Sequence, residues 1–114
     1  MLIDFDAIET KVIPNFKGGE GAFIADIADD GLVRIIHGRL EPGSSIGLHR
    51  HEPGCEVIYV ISGNGTAIVD GEAEAMRPGV CTYCPKGSSH TVINDGDEDL
   101  EFFAVIPQNV AAAK

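Results

Sequence analysis

Basic side chains are scarce in this sequence: Lys and Arg together number 8, against 18 Asp and Glu, for a formal net charge of −10 over 114 residues. The few cations are scattered singly, so no basic patch is present to neutralise phosphates, which argues against nucleic acid or an anionic membrane as a partner. Long apolar runs are missing too. Val57–Ile61 and Phe102–Ile106 are among the longer ones, far short of the roughly 20 residues a helix needs to span a bilayer. The opening Met1–Asp6 lacks a basic segment followed by an apolar one, so no targeting signal is expected and the chain reads as cytoplasmic. Cysteine is limited to Cys55, Cys81 and Cys84, an odd set in a chain large enough for its own core, which argues against a secreted disulfide framework.

Turn-forming residues, by contrast, are plentiful. The 14 Gly and 6 Pro help to close a series of short segments in which apolar residues recur with a period of two. Extended segments are predicted at Phe23–Ala28, Leu32–Glu41, Ser45–His51, Cys55–Ser62, Gly65–Asp70, Glu72–Met76, Val80–Cys84, His90–Asn94 and Leu100–Ile106, with a turn of helix near Asp6–Lys11. The pattern is that of an all-β chain, long enough for one domain over residues 1–114. Asp70-Gly71 has the composition of a two-residue hairpin turn, and Asn94–Asp97 that of a longer one. Gly18–Gly21 is read as a mobile loop, because it lacks the Lys-Ser/Thr ending of a phosphate-binding loop. Val57, Tyr59 and Ile61 alternate with Ile58 and Val60, so both faces of that strand need cover: a sandwich or barrel interior on one side, a second sheet or subunit on the other. The acidic run Asp95, Asp97, Glu98, Asp99 and Glu101 lacks the ligand spacing of a calcium loop and is read as a solvated hairpin tip. Val110–Lys114 is read as a frayed tail.

The chemistry lies with the histidines. His49 and His51, two apart on a predicted strand, point to one face with α-carbons about 6.5–7 Å apart, close enough for both rings to reach one ion. Glu56 begins the next strand after a short turn at Glu52-Pro53-Gly54, which folds its carboxylate beside them. His90 opens a later strand after Pro85-Lys86-Gly87. Three imidazoles and a carboxylate, with no thiolate, suit one divalent transition metal ion (Mn, Fe, Ni, Co, Cu or Zn) ahead of Ca or Mg, and in an octahedral shell they leave two positions open. A closed structural site would more often use cysteine.

The spacing of these residues resembles that of the cupins. Gly43, five residues, His49, one, His51, four, Glu56, six and Gly63 fits the first cupin motif without a gap. Gly79, five residues, Pro85, one, Gly87, two, His90, three and Asn94 fits the second. The resemblance implies a double-stranded β-helix, a jelly-roll barrel of six to eight antiparallel strands, with a core over about residues 32–107 and an N-terminal arm over 1–22. It implies metal held by His49, His51, Glu56 and His90, corner positions for Gly43, Gly63, Gly79 and Gly87, a small-molecule ligand in the barrel, and a homodimer joined through an outer sheet face. Val80 departs from the family, which usually has Asp after the glycine. Pro42–His49 and the Gly18–Gly21 loop look most like small bacterial cupins grouped with the oxalate-decarboxylase-like proteins.

Other residues carry smaller expectations. Cys81 and Cys84, three apart on a strand, face opposite sides and are expected to be structural, with Cys84 or Tyr83 a candidate for the pocket wall. Cys55 should point away from the metal. His37 is expected to be a hydrogen-bonded strand residue. Arg39 and Arg50 are candidates for holding an anionic ligand, although Arg50 should face outward between two inward histidines. Ile46, Ile58, Val60 and Val92 are expected to line the pocket. The functions compatible with this set are a metal-dependent enzyme on a small carboxylate, enol or sugar-like molecule (dioxygenase, decarboxylase or isomerase type), and a binding or sensing module that holds a metabolite or metal without turnover. A structural role fits a complete ligand set less well.

Overall fold

The computed structural model describes residues 1–108, so the Val110–Lys114 tail lies outside the described part. Ten strands follow one another: β1 (Lys11–Pro14), β2 (Ala22–Asp29), β3 (Val33–Leu40), β4 (Ser45–Arg50), β5 (Glu56–Ser62), β6 (Gly65–Val69), β7 (Glu72–Met76), β8 (Cys81–Cys84), β9 (Ser89–Ile93) and β10 (Leu100–Pro107). They form two antiparallel sheets in the orders β1-β2-β3-β10-β5-β8 and β4-β9-β6-β7, the expected all-β jelly roll with more strands than the resemblance implied. No helix among the described residues is long and apolar enough to cross a membrane.

The helical turn expected at Asp6–Lys11 is shorter and earlier, a 3₁₀ turn at Phe5–Ala7 whose Asp6 amide donates to the Asp4 side chain. Pairing with β2 ends it. Lys11 lies opposite Ala25, and the Thr10 hydroxyl donates to Asp26 at 2.6 Å, so tertiary contacts override local propensity. The arm thus adds an edge strand to the larger sheet.

The inner faces meet in a core that includes Phe23, Leu40, Ile58, Val60, Met76, Leu100 and Phe102. Each large apolar side chain so buried contributes roughly 1.5–3 kcal/mol. Phe23 and Phe102 stack at 5.9 Å with their planes 3° apart. They can do so because β3 has Gly38 between them, where a Cβ would run into both rings.

Asp70-Gly71 joins β6 to β7 with φ of 48° and 84°, as the hairpin reading requires. Asn94–Asp97, however, is not a hairpin. It carries the chain from β9 in the smaller sheet to β10 in the larger, and fully buried Asn94 fastens the corner. Its Nδ2 donates to the carbonyls of Leu40 and Glu98, both at 2.8 Å, and its Oδ1 accepts from the Gly96 amide. Nor is Gly18–Gly21 a free loop. The Ser45 amide donates to the Glu20 carbonyl, the Glu20 amide to the Ser45 hydroxyl, and Gly19 lies so close to β4 that a Cβ would strike the Ser45 carbonyl.

Candidate metal centre

Strands β4 and β9 pair with His49 opposite His90, and the register slips by one residue between Ile46 and His49. The extra residue is a bulge at Gly47-Leu48. It leaves Leu48 67% exposed and resets the alternation, so that Ile46 and His49 both face the interior. Gly47 is needed in this bend, because a Cβ there would strike the Lys17 carbonyl. His51 lies one residue beyond β4, where its amide donates to the Ser88 carbonyl and its carbonyl accepts from Gly87. Glu56 is the first residue of β5 in the other sheet, so the cluster bridges the two sheets.

The four expected residues converge. The Nε2 atoms of His49 and His51 are 3.2 Å apart, those of His51 and His90 3.1 Å, and those of His90 and His49 3.2 Å. Glu56 Oε1 lies 2.9 Å from His51 Nε2 and 3.0 Å from His90 Nε2. All four donor groups fall within 4.8 Å of one another, with His49 and Glu56 the sixth and longer pair. Donors about 2.0–2.2 Å from a common ion stand about 3 Å apart at right angles and about 4.2 Å apart when opposite. Five short edges and one longer one would suit four donors on neighbouring corners of an octahedron around one ion held by His49, His51, Glu56 and His90.

The electrostatics fit a cation. Burial holds the His49 pKa below its ordinary value and the neighbouring rings add to the effect, although the hydrogen bond to Gly47 opposes it. With His49 Nδ1 donating to the Gly47 carbonyl at 2.7 Å, its Nε2 carries a lone pair directed at the cluster. Burial raises the cost of ionising Glu56, but hydrogen bonds with His51 and His90 outweigh it and hold the carboxyl down at about 2. His90 is 1% exposed and its buried Nδ1 has no partner, so its polar engagement runs through Nε2 alone. A buried, ionised Glu56 surrounded by imidazole nitrogens needs positive charge beside it, supplied by protons on those rings or by a cation held in their place.

The fold and much of the sequence are shared with known proteins. Residues 36–106, more than half of the chain, match the Cupin domain family. The chain belongs to the cupin family. This cupin is 33% identical over 112 residues to an oxalate-binding protein of Thermotoga maritima, with 93% of each chain covered. It is also similar to a crystal structure from Thermotoga maritima described as a predicted oxalate decarboxylase, with a TM-score of 0.88 at 32% identity over 95% of this cupin and 99% of that chain. Over a shorter stretch of 46 residues it is 46% identical to (S)-ureidoglycine aminohydrolase of Escherichia coli, covering 40% of this cupin and 18% of that enzyme.

A cavity of about 260 Å³ opens over the cluster. Ile46 and Val92 line it as expected, whereas Ile58 and Val60 do not; they lie farther along β5 than Glu56 and are sealed into the core. Cys84 is buried in β8 and Tyr83 is exposed on the opposite face, and neither belongs to the cavity wall. Burial in particular pushes the Cys84 thiol up to about 11. Cys55, Cys81 and Cys84 are all free thiols. Val80, in place of the usual Asp, packs against the core.

Arg39 lies away from the cavity and pairs with Asp99 at 3.0 Å. Arg50 faces outward, as its position between two inward histidines requires, yet from there it reaches the cavity mouth, paired with Glu52 at 2.5 Å. Sequence reasoning missed Lys17 and Arg34 at the mouth, and Ile13 and Phe16 in the wall. Arg34 shares a strand face with Ile36, another wall residue, so strand parity could have found it. Ile13 and Phe16 lie outside both motifs and carry no local signal. His37 is hydrogen-bonded on the outer face, as expected: Nδ1 lies 3.1 Å from Asp26 and Nε2 2.5 Å from Glu101.

Proposed function

We propose that His49, His51, Glu56 and His90 hold one divalent transition metal ion, and that this cupin is a metal-dependent enzyme acting on a small carboxylate, enol or sugar-like molecule. The observation that carries the reading is the set of five donor separations of 2.9–3.2 Å, which leaves two adjacent positions for the two oxygens of one small ligand. A bound metal would supply Lewis acidity to polarise that ligand, and a redox-active one would admit decarboxylase or dioxygenase chemistry. The chain's own residues orient the site: Gly47 fixes the tautomer of His49, and an apolar wall borders the cluster. The Thermotoga maritima relatives, named for oxalate, support a small acid.

A second reading, a binding cupin without turnover, is favoured by the state of the mouth. Glu52 is the one carboxylate besides Glu56 among the described lining residues, and it is tied to Arg50 rather than free to move a proton. Incubating the metal-loaded protein with oxalate and other small carboxylates, with and without O₂, separates the two. Product formation supports the enzyme, whereas binding with no product under any metal supports the binding protein.

We also propose a homodimer through the outer face of the larger sheet, within a single domain spanning the chain. Tyr59, Ile61 and Tyr83 are 45%, 43% and 53% exposed on that face, which supports a second copy as their cover. The three free thiols support a reducing compartment such as the cytoplasm.

A further inference from the structure

Beside the metal donors the cavity has an apolar wall that includes Ile13, Phe16, Phe23, Ile27, Ile36 and Ile106, together with polar lining from Lys17, Arg34, Arg50, Glu52 and Gln108. Phe16 reaches that wall at a conformational cost. The residues on either side of it, Asn15 and Lys17, have φ of 50° and 56°, left-handed conformations disfavoured for residues with a side chain. The turn is fastened by surroundings that leave it no alternative. Asn15 Nδ2 donates to the Gly19 carbonyl at 3.0 Å, the Asn15 amide donates to the Gly21 carbonyl, and Gly19 and Gly47 let the turn and β4 touch backbone to backbone. Phe16 then stacks on Phe23 at 5.3 Å. Phe16 is thus fixed in the cavity wall by the turn's own hydrogen bonds and by its stacking on Phe23.

We propose that the ligand of this site is larger than oxalate: an α-oxo or α-hydroxy acid whose head oxygens take the two adjacent metal positions and whose apolar body, branched aliphatic or aromatic, lies against Ile13, Phe16 and their neighbours. The proposal rests on the metal reading above and adds the ligand's apolar part. Oxalate satisfies the metal positions but has no hydrocarbon, so it leaves the wall wet, and apolar surface gains only when the ligand supplies a matching one. The cations at the mouth are engaged within the chain. Arg34 is held by Asp29 at 3.0 Å and Arg50 by Glu52, and Lys17 Nζ lies over the Phe16 ring at 5.5 Å from its centre.

The test is calorimetric titration of the Mn(II)-loaded protein, its metal content measured first, with oxalate, pyruvate, α-ketoisocaproate and phenylpyruvate, repeated on Phe16→Ala. At least one tailed acid should bind about tenfold or more tightly than pyruvate and oxalate, the advantage that burying a few methylene-sized groups confers. Phe16→Ala should remove most of that advantage while leaving pyruvate affinity nearly unchanged. If Phe16→Ala fails to fold by circular dichroism, Ile13→Ala is read in its place with the same expectation. Metal content near one equivalent with neither tailed acid exceeding oxalate and pyruvate overturns the proposal and leaves the metal reading standing. Wild-type protein that takes up no metal overturns both.

Discussion

Inside the barrel, the Nε2 atoms of His49, His51 and His90 and one oxygen of Glu56 make five contacts of 2.9–3.2 Å around one point. On the outside of the larger sheet, His37 sits between Asp26 and Glu101, with each ring nitrogen facing its own carboxylate. The residue types are the same and the electrostatics are opposite. Within the barrel, burial keeps His49 below its ordinary pKa and leaves a lone pair free. On the outside, the hydrogen bond to Glu101 raises His37 above its ordinary value, against partial desolvation, and Asp26 adds to the rise. Convergence of nitrogens makes a place for a cation, while giving each nitrogen its own carboxylate makes the imidazole the cation. Histidine count alone does not distinguish the two; strand register does.

The comparison breaks most sharply at Glu56. Glu56→Gln keeps the shape and removes the charge, and metal affinity should fall by more than about 100-fold in competition titrations with a chelating dye, since even indirect supports of a metal site cost about 10–100-fold. The corresponding outer change, Glu101→Gln, should leave metal affinity unaltered. Gly47→Ala comes next. A Cβ there meets the Lys17 carbonyl, so about 1–3 kcal/mol of stability should be lost in urea unfolding, with weaker metal binding as the His49 ring loses its fixed partner.

His37→Ala should have a smaller effect. The pair is partly exposed and screened, so its loss should cost less than about 1 kcal/mol, with metal stoichiometry unchanged. Its pH signature is distinctive. A raised His37 contributes stability that is fully present below 6.5 and is lost as pH climbs through the higher folded value. Asp26 is lowered, first by the Thr10 hydrogen bond, and contributes stability present above 3.8 that is lost as pH falls through the lower folded value. Thermal melts of wild type should therefore decline on the alkaline side of 6.5 more than those of His37→Ala. Equal slopes would mean the clamp contributes nothing. The smallest effect concerns the thiols. Exposed Cys81 should alkylate at mildly alkaline pH while Cys84, raised to about 11, stays protected, as peptide mass mapping would show.

Much of this was legible because the motifs mark backbone needs as well as chemistry. Gly43, Gly63, Gly79 and Gly87, expected at corners, all have positive φ, and the four donors come together as spacing implied. What was not legible depended on distant contacts. The bulge at Gly47-Leu48 is defined by pairing with β9, forty residues on, and by the docking of the Phe16 turn. Asn94–Asp97 has hairpin composition, and only the assignment of β9 and β10 to different sheets makes it a crossover. Ile13, Phe16 and Lys17 reach the cavity through the fold rather than through any motif.

The central claim, that the inner cluster is a metal site and the outer one is not, is tested most directly by elemental analysis. Wild type, the double variant His49→Ala with His90→Ala, and His37→Ala would each be exposed to Mn, Fe, Co, Ni, Cu and Zn and desalted, with folding checked by circular dichroism. About one equivalent of one metal in the wild type and in His37→Ala, and none in the folded double variant, is the predicted result. Wild-type stoichiometry retained by the double variant would contradict the account.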